Sequence, residues 1–202
     1  MPYEYRSLTT QEQKEIVKQR RERGYPLHSP PHPYRCEGYY LITAANYNHQ
    51  PVMDAPQRRT DFEYRLLQIL QDAEIEIAGW VILPNHYHVL VGVHALEQIT
   101  VVLRQLHGET ARLWNQEDNL TAQRRVWYRY EDRMMRDQNH YYVALNYLHF
   151  NPTKHGYVTD PYTWQWSSLN MYAQDHGREW LRSLWKQYPP NQFNELESIT
   201  QR

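Results

Sequence analysis

The chain has 202 residues and a mean hydropathy of −0.90, with 22 Lys and Arg residues against 23 Asp and Glu residues. The resulting formal net charge of −1 excludes a protein that coats duplex DNA indiscriminately, because such binding needs an excess of clustered cations. No apolar run reaches the roughly 18 residues of a membrane-spanning helix. The single cysteine, Cys36, excludes an intramolecular disulfide and favours a reducing compartment.

Tyrosine and tryptophan are unusually frequent, with 18 Tyr and 7 Trp against 3 Phe. Their rings combine a stacking face with a polar group, which suits contacts with unpaired bases. Covering a wet, irregular surface is the alternative use of the same residues.

A polar helix is predicted over residues 9–23. Thr9 with Glu12, or Thr10 with Gln13, would form a capping box at its start. Because its apolar face is thin, we expect this helix to dock weakly.

The prolines of residues 25–33 predict an extended linker after that helix. The start of the chain lacks a basic segment followed by an apolar one, so we expect a cytoplasmic protein. The predicted organisation is an N-terminal helix and linker at 1–33, a globular domain at 34–172 and a C-terminal tail at 173–202.

Hydrophobic periodicity and turn residues predict seven core elements. In chain order they are strand 39–45, helix 60–72, strand 75–83, strand 86–93, helix 96–114, strand 125–130 and helix 138–150. The order βαββαβ predicts an α+β fold, a ferredoxin-like or RRM-like sandwich, with one additional helix packed on or near the sheet.

Local signals set the ends of two of these helices, and a glycine interrupts a third. Thr60 with Glu63 predicts a capping box for helix 60–72, and Asp137 predicts a cap for helix 138–150. Pro152 is expected to end that last helix. Gly108 costs about 1 kcal/mol relative to alanine inside helix 96–114, which indicates close packing or a kink.

Two histidines on the strand 86–93 are candidate metal ligands. Residues i and i+2 of a strand point to the same side, so His86 and His88 leave one face together. Neutral imidazoles suit a divalent metal. The alternative is a pair of exposed or hydrogen-bonded histidines.

A tyrosine near the end of helix 138–150 is a candidate nucleophile. Tyr147 and Asn151 are four residues apart and share one helix face. The phenol needs help from a metal or a base to react, and the amide oxygen of Asn151 could serve as a third ligand for Mg²⁺ or Mn²⁺. Spacing alone does not select Tyr147 over Tyr141 or Tyr142.

Two motifs carry a resemblance to a known family. They are residues 82–91, Ile-Leu-Pro-Asn-His-Tyr-His-Val-Leu-Val, and residues 147–158, Tyr-Leu-His-Phe-Asn-Pro-Thr-Lys-His-Gly-Tyr-Val. In this order they resemble the REP-associated tyrosine transposases, which are single-tyrosine HUH transposases of the IS200-like superfamily. The resemblance covers roughly residues 34–172. Tyr87 departs from it, since an aliphatic residue is more usual between the histidines.

The resemblance implies a site and a reaction. His86 and His88 would bind a divalent metal, Mg²⁺ or Mn²⁺, with Asn151 as third ligand, and Tyr147 would attack a phosphate of single-stranded DNA to form a covalent 5′-phosphotyrosine. The substrates would be hairpins of repetitive extragenic palindromes with a short flanking tetranucleotide. A nucleoid-associated monomer is favoured over a dimer. The candidate DNA-binding residues are Arg125, Arg129, Arg133, Arg136 and Lys154.

Two other functions stay open on the sequence. A replication initiator or relaxase would use the same chemistry, although the small size and the Asn-Pro after the tyrosine favour the transposase. A non-catalytic single-strand-binding module would keep the fold and lack cleavage.

Overall fold

The computed structural model describes residues 9–12, 14, 15, 18, 37–120 and 124–193. The elements between residues 37 and 193 are, in chain order, β1 (Gly38–Ala45), a 3-10 turn (Tyr47–His49), α1 (Pro56–Asp72), β2 (Glu76–Ile82), β3 (His86–Val93), α2 (Leu96–Glu117), β4 (Glu131–Met134), α3 (Gln138–Lys154), a second 3-10 turn (Pro161–Thr163), α4 (Leu169–His176) and α5 (Arg178–Gln187).

The four strands form one sheet in the order β2-β3-β1-β4, and every neighbouring pair is antiparallel. Each crossover helix therefore joins two strands that are separated by a third one, as in a split βαβ unit. The predicted ferredoxin-like α+β sandwich is confirmed.

Helices cover both faces of the sheet. On one face Phe62 of α1 packs against Tyr87 of β3, with ring centroids 5.0 Å apart. On the other face α3 lies so close that a Cβ on Gly79 would stand 2.8 Å from Leu145 Cδ1. The additional helix that carries Tyr147 is thus the layer opposite α1 and α2.

The alternation of β3 explains the unusual Tyr87. Its side chain points away from the histidines into the helical face, where it is fully buried and its hydroxyl lies 2.9 Å from His107 Nε2. Burying an aromatic ring contributes about 1.5–3 kcal/mol relative to exposure, and the hydrogen bond satisfies the phenol.

The N-terminal capping box is confirmed at Thr9 and Glu12. The Glu12 amide donates to Thr9 Oγ1 at 3.3 Å, and the Thr9 amide and hydroxyl donate to Glu12 Oε2 at 2.7 and 2.6 Å. Residues 10–12, 14, 15 and 18 are helical. The rest of the predicted helix and the predicted linker at 25–33 lie outside the described residues.

The predicted start of α1 is wrong. The helix begins one turn earlier, at Pro56, which suits a first helical position because it has no amide hydrogen to leave unpaired. Thr60 lies inside the helix, and its hydroxyl accepts a hydrogen bond from Trp166 Nε1 at 3.0 Å. A tertiary contact therefore uses the side chain that the sequence pattern assigned to capping.

The fourth strand lies further along the chain than the predicted 125–130. Only Trp127 of that segment forms a bridge, with Asn46, and the regular strand is β4. The amide hydrogen bonds of this segment link it to the turn after β1, because Tyr47 N donates to Val126 O and Tyr128 N to Ala45 O.

The cap of α3 is confirmed and its predicted end is wrong. Asp137 Oδ1 accepts from His140 N at 2.7 Å. Pro152 lies inside the helix, which continues to Lys154. A proline in the last turn removes one amide donor, and the turn is still closed by His155 N donating to Asn151 O at 3.0 Å.

The C-terminal helices pack on α3. Leu181 and Leu184 of α5 are buried, and Asn146 Nδ2 donates to Leu184 O at 3.1 Å and to Tyr188 O at 2.8 Å. The predicted boundaries at 33 and 172 stay a prediction. Within the described residues no helix is both long and apolar enough to cross a membrane.

Gly108 gives a first prediction. Close packing does not explain it, because no atom other than its chain neighbours and the backbone of its own helix lies within 4 Å of the position of an added Cβ. Gly108→Ala should therefore raise the free energy of unfolding by about 1 kcal/mol, through helix propensity and reduced unfolded-state entropy. Urea denaturation measures the change.

Gly79→Ala is the matched control for that substitution. Its new Cβ would meet Leu145 Cδ1 at 2.8 Å and Ser168 Oγ at 3.1 Å, so overpacking should destabilise the protein by about 1–3 kcal/mol. Equal effects of the two substitutions would contradict the described placement of α3 on the sheet.

Candidate active site

The two histidines of β3 lie on the sheet face that α3 covers. Their ring centroids are 5.1 Å apart and the rings are nearly perpendicular. The register of β1 with β3 sets Thr43 opposite His88 and Ala45 opposite His86. The small Ala45 leaves room beside His86, and Thr43 offers a hydroxyl to His88.

His88 is 5% exposed, and one of its ring nitrogens has a partner. Nδ1 lies 2.7 Å from Thr43 Oγ1, whereas Nε2 is buried without a hydrogen bond. Burial, followed by the nearby His86, holds the pKa of His88 well below its ordinary value. The ring is therefore neutral near pH 7, which is the form that binds a metal.

The tautomer of His86 follows from Asn85. The Asn85 amide nitrogen donates to His49 O at 3.2 Å, which turns its Oδ1 toward His86 Nδ1 at 2.6 Å. Since a carbonyl oxygen only accepts, Nδ1 must carry the hydrogen and Nε2 must carry the lone pair. This arrangement is the one by which proteins orient a metal-binding imidazole.

Burial also makes His86 neutral. It lowers the pKa of His86 to about 4, and the charges of His155, His49 and Lys154 act in the same direction. A contact with Asn151 opposes the shift. His86 therefore lies within electrostatic reach of Asn151.

Tyr147 projects from α3 over the histidines. Its ring centroid is 5.5 Å from that of His88, and its hydroxyl accepts a hydrogen bond from Lys154 Nζ at 3.3 Å. The same ring stacks on that of Phe193, with the centroids 4.5 Å apart. The phenol oxygen thus lies beside an ammonium group, and the ring that carries it lies next to His88.

Asn151 is one helical turn after Tyr147 and is fully buried. Neither its Oδ1 nor its Nδ2 makes a hydrogen bond of standard geometry. Buried amides are nearly always satisfied, so a buried unpaired amide beside His86 and a buried unpaired nitrogen on His88 form a donor set that lacks a central partner.

The donor set fits a small divalent cation. No group of three His, Cys, Asp or Glu side chains converges as a metal site among the residues that the structure describes. The available protein donors are therefore two imidazole nitrogens and the amide oxygen of Asn151. Such a set leaves coordination positions open for substrate oxygens and water.

The five predicted DNA-binding residues do not form one cluster, and three of them contact aromatic rings. Lys154 contacts Tyr147, and the Arg133 guanidinium lies 5.0 Å from the Phe193 ring centre. Arg125 covers the rings of Tyr47 and Tyr128 at 4.8 and 5.6 Å.

The remaining two arginines flank β4 in the chain. Arg136 donates from Nε to His140 Nδ1 at 3.4 Å, and His140 lies about two helical turns before Tyr147 on α3. Arg129 is exposed in the segment before β4.

Sequence reasoning missed Thr43, Phe193 and the role of Asn85. The pairing of β1 with β3 could have indicated Thr43, because an antiparallel register brings it beside His88. Asn85 belongs to the motif at residues 82–91, where the sequence analysis assigns it no role. No local signal marks Phe193, which lies 46 positions after Tyr147 in the chain.

The family of the chain is established by comparison. Residues 36–144, more than half of the chain, match the family described as "Transposase IS200 like". The chain belongs to this family of transposases, and the resemblance carried by its two motifs is confirmed. Tyr147 and Asn151 lie just beyond the matched residues.

Two curated proteins are similar in sequence to this chain. A protein of Haemophilus influenzae, provisionally named a REP-associated tyrosine transposase, is 26% identical over 133 residues, which are 58% of this chain and 75% of that protein. The REP-associated tyrosine transposase of Escherichia coli is 22% identical over 112 residues, 53% of this chain and 62% of that protein.

A solved structure supports the fold. It is described as a REP-associated tyrosine transposase bound to a REP hairpin, and it superposes with a TM-score of 0.58 at 18% identity. The match covers 73% of this chain and 86% of the other.

The Asn85 arrangement predicts the state of His86 in solution. Nitrogen-15 spectra of histidine-labelled, chelator-treated protein at pH 6 should show a neutral ring with hydrogen on Nδ1, because the pKa is lowered to about 4 and Nδ1 donates to Asn85. Asn85→Ala should release the tautomer preference. A cationic His86 at pH 6, or hydrogen on Nε2, would contradict the described contacts.

Proposed function

We propose that this chain cleaves and rejoins single-stranded DNA at palindromic hairpin elements through a covalent 5′-phosphotyrosine on Tyr147. One observation carries the proposal: the Tyr147 ring lies 5.5 Å from the His88 ring, on the face where the unpaired His88 Nε2 and Asn151 amide are found. These are the residues that the two family motifs place in order along the chain.

The proposed step is a displacement at phosphorus. The Tyr147 oxygen bonds to the scissile phosphorus, the bond from phosphorus to the 3′-oxygen breaks, and the released 3′-oxygen takes up a proton while the phenol proton is lost to solvent. The ammonium of Lys154 at 3.3 Å stabilises negative charge on the phenol oxygen. Because a phosphodiester is kept in the enzyme–DNA link, attack by another 3′-hydroxyl rejoins a strand without ATP.

His86, His88 and Asn151 are the residues that would hold a divalent metal, Mg²⁺ or Mn²⁺. When bound, the ion supplies Lewis-acid chemistry at the scissile phosphate. The protein's part is to keep both imidazoles neutral and oriented. Burial keeps them neutral, and Thr43 and Asn85 orient them through Nδ1 of each ring, which directs Nε2 of each ring into the site.

The proposed partner is a single-stranded DNA hairpin of the REP type. The support is the hairpin in the similar solved structure and the names of the two curated relatives. We assign Arg125, Arg129, Arg133, Arg136 and Lys154 to phosphate contacts, which position a strand without reading its sequence. The chain would act as a monomer in the cytoplasm, on the nucleoid.

Replacing the nucleophile tests the central step. Tyr147→Phe should abolish the metal-dependent covalent adduct with a labelled single-stranded hairpin, while the affinity for the same DNA changes little, because only one hydroxyl is removed. A denaturing gel and an anisotropy titration measure the two quantities. Tyr141→Phe, on the same helix, is the matched control and should keep the adduct.

Adduct formation by Tyr147→Phe at the wild-type rate would remove Tyr147 as nucleophile. Hairpin binding without any adduct, in wild-type protein with either metal, would instead favour the non-catalytic single-strand-binding module.

The metal donors give a separate prediction. His86→Ala should abolish cleavage and weaken Mn²⁺ binding. Thr43→Val keeps the shape of the side chain and removes the oxygen beside His88 Nδ1, so it should weaken Mn²⁺ binding by roughly 10- to 100-fold. Calorimetric titration with Mn²⁺ measures both effects, and unchanged affinity in the two variants would exclude this metal site.

A further inference from the structure

A cluster of aromatic and basic side chains lies beside the candidate active site, and the proposed function uses only its Arg125, for a phosphate contact. The rings of Tyr47 and Tyr128 are 5.0 Å apart, and that of His49 is 5.8 Å from Tyr128. The Arg125 guanidinium stands over both tyrosine rings. His49 and Arg125 are exposed and the tyrosines are half-buried. We call these four residues the Tyr128 platform.

The backbone of the platform is held in an unusual conformation. Asn48 and His49 both have positive φ angles, 54° and 52°, a region that costs non-glycine residues about 1–2 kcal/mol each. The conformation is kept by specific contacts, since His49 N donates to Asn46 O at 2.9 Å and Tyr128 Oη donates to Asn48 Oδ1 at 3.2 Å. Such strain collects at functional sites because the surrounding structure maintains it.

The platform is joined directly to the histidine pair. His49 O accepts from the Asn85 amide, and the same amide group accepts from His86 Nδ1. Two hydrogen bonds therefore separate the strained turn from the imidazole that would face the scissile phosphate. A group held on the platform would be a near neighbour of the reacting phosphate.

The chemistry of the platform suits one ligand class, an unpaired nucleotide. Exposed and half-buried rings offer faces on which a base stacks. A guanidinium beside them can pair with a phosphate.

We propose that the Tyr128 platform binds the unpaired nucleotide next to the scissile phosphate, with its base stacked on His49 or Tyr128 and its phosphate on Arg125. Its position beside the reaction rests on the proposed function. Stacking itself needs neither metal nor Tyr147, so the two ideas can fail separately.

The test compares two labelled strands of equal length, oligothymidine and an abasic deoxyribose-phosphate chain, by anisotropy in the presence of a chelator. Tyr147→Phe protein is the reference, so that no strand is cleaved. It should bind oligothymidine more tightly than the abasic chain, by roughly 5- to 150-fold if one base stacks. Tyr128→Ala should bring this ratio toward one while binding of the abasic chain stays unchanged.

Two controls isolate the ring. Tyr128→Phe loses the hydrogen bond to Asn48 and keeps the stacking face, so it should retain the ratio. Trp180→Ala removes an aromatic residue that is 36% exposed on α5 and whose ring lies beside those of Tyr172 and His176, so it should leave the ratio unchanged. Arg125→Ala should weaken both strands equally, because the phosphate is common to them.

The proposal is overturned if the ratio is unchanged in Tyr128→Ala, if Trp180→Ala lowers it equally, or if the reference protein binds both strands alike or neither. A normal ratio without any covalent adduct would remove only the proposed function.

The position of the platform is checked by measuring cleavage. An abasic site next to the cut should slow cleavage by the wild-type protein and have little further effect on cleavage by Tyr128→Ala. Equal slowing of both proteins would overturn the placement.

Discussion

The close approach of α3 to the sheet is the constraint on which the rest of the structure depends. It is possible because β2 carries Gly79, where a Cβ would stand 2.8 Å from Leu145. Leu145 and Leu148 fill that contact and are fully buried. With the helix fixed there, Tyr147 projects over His88 and Asn151 is buried near His86. A sheet residue without a side chain thus sets the height of the tyrosine above the histidines.

Apolar packing positions α3, whereas polar partners orient the two histidines. Thr43 binds one ring and Asn85 the other, and each contact occupies Nδ1. Burial keeps both rings neutral. The Asn85 amide also binds His49, so the orientation of His86 depends on the strained turn of the Tyr128 platform. The site and the surface beside it are therefore one hydrogen-bonded unit.

The element order and the faces that the candidate residues share could be predicted from sequence because their signals are local, whereas the choice of Tyr147 among the tyrosines rested on the family resemblance. Alternation places His86 and His88 on one face, and a spacing of four places Tyr147 and Asn151 on another. Long-range contacts could not be predicted in this way. Thr60 was assigned to a cap and instead binds Trp166, and Pro152 was expected to end a helix that continues to Lys154. The stacking of Phe193 on Tyr147 has no local signal at all.

Mass spectrometry of the covalent adduct tests the central claim most directly. The tryptic peptide spanning residues 137–154 contains Tyr141, Tyr142 and Tyr147, so fragmentation of the nucleotide-linked peptide identifies which phenol reacted. The account predicts a phosphotyrosine at Tyr147 with the DNA attached through its 5′-phosphate. A nucleotide on Tyr141 or Tyr142, or on a residue outside this peptide, would contradict it.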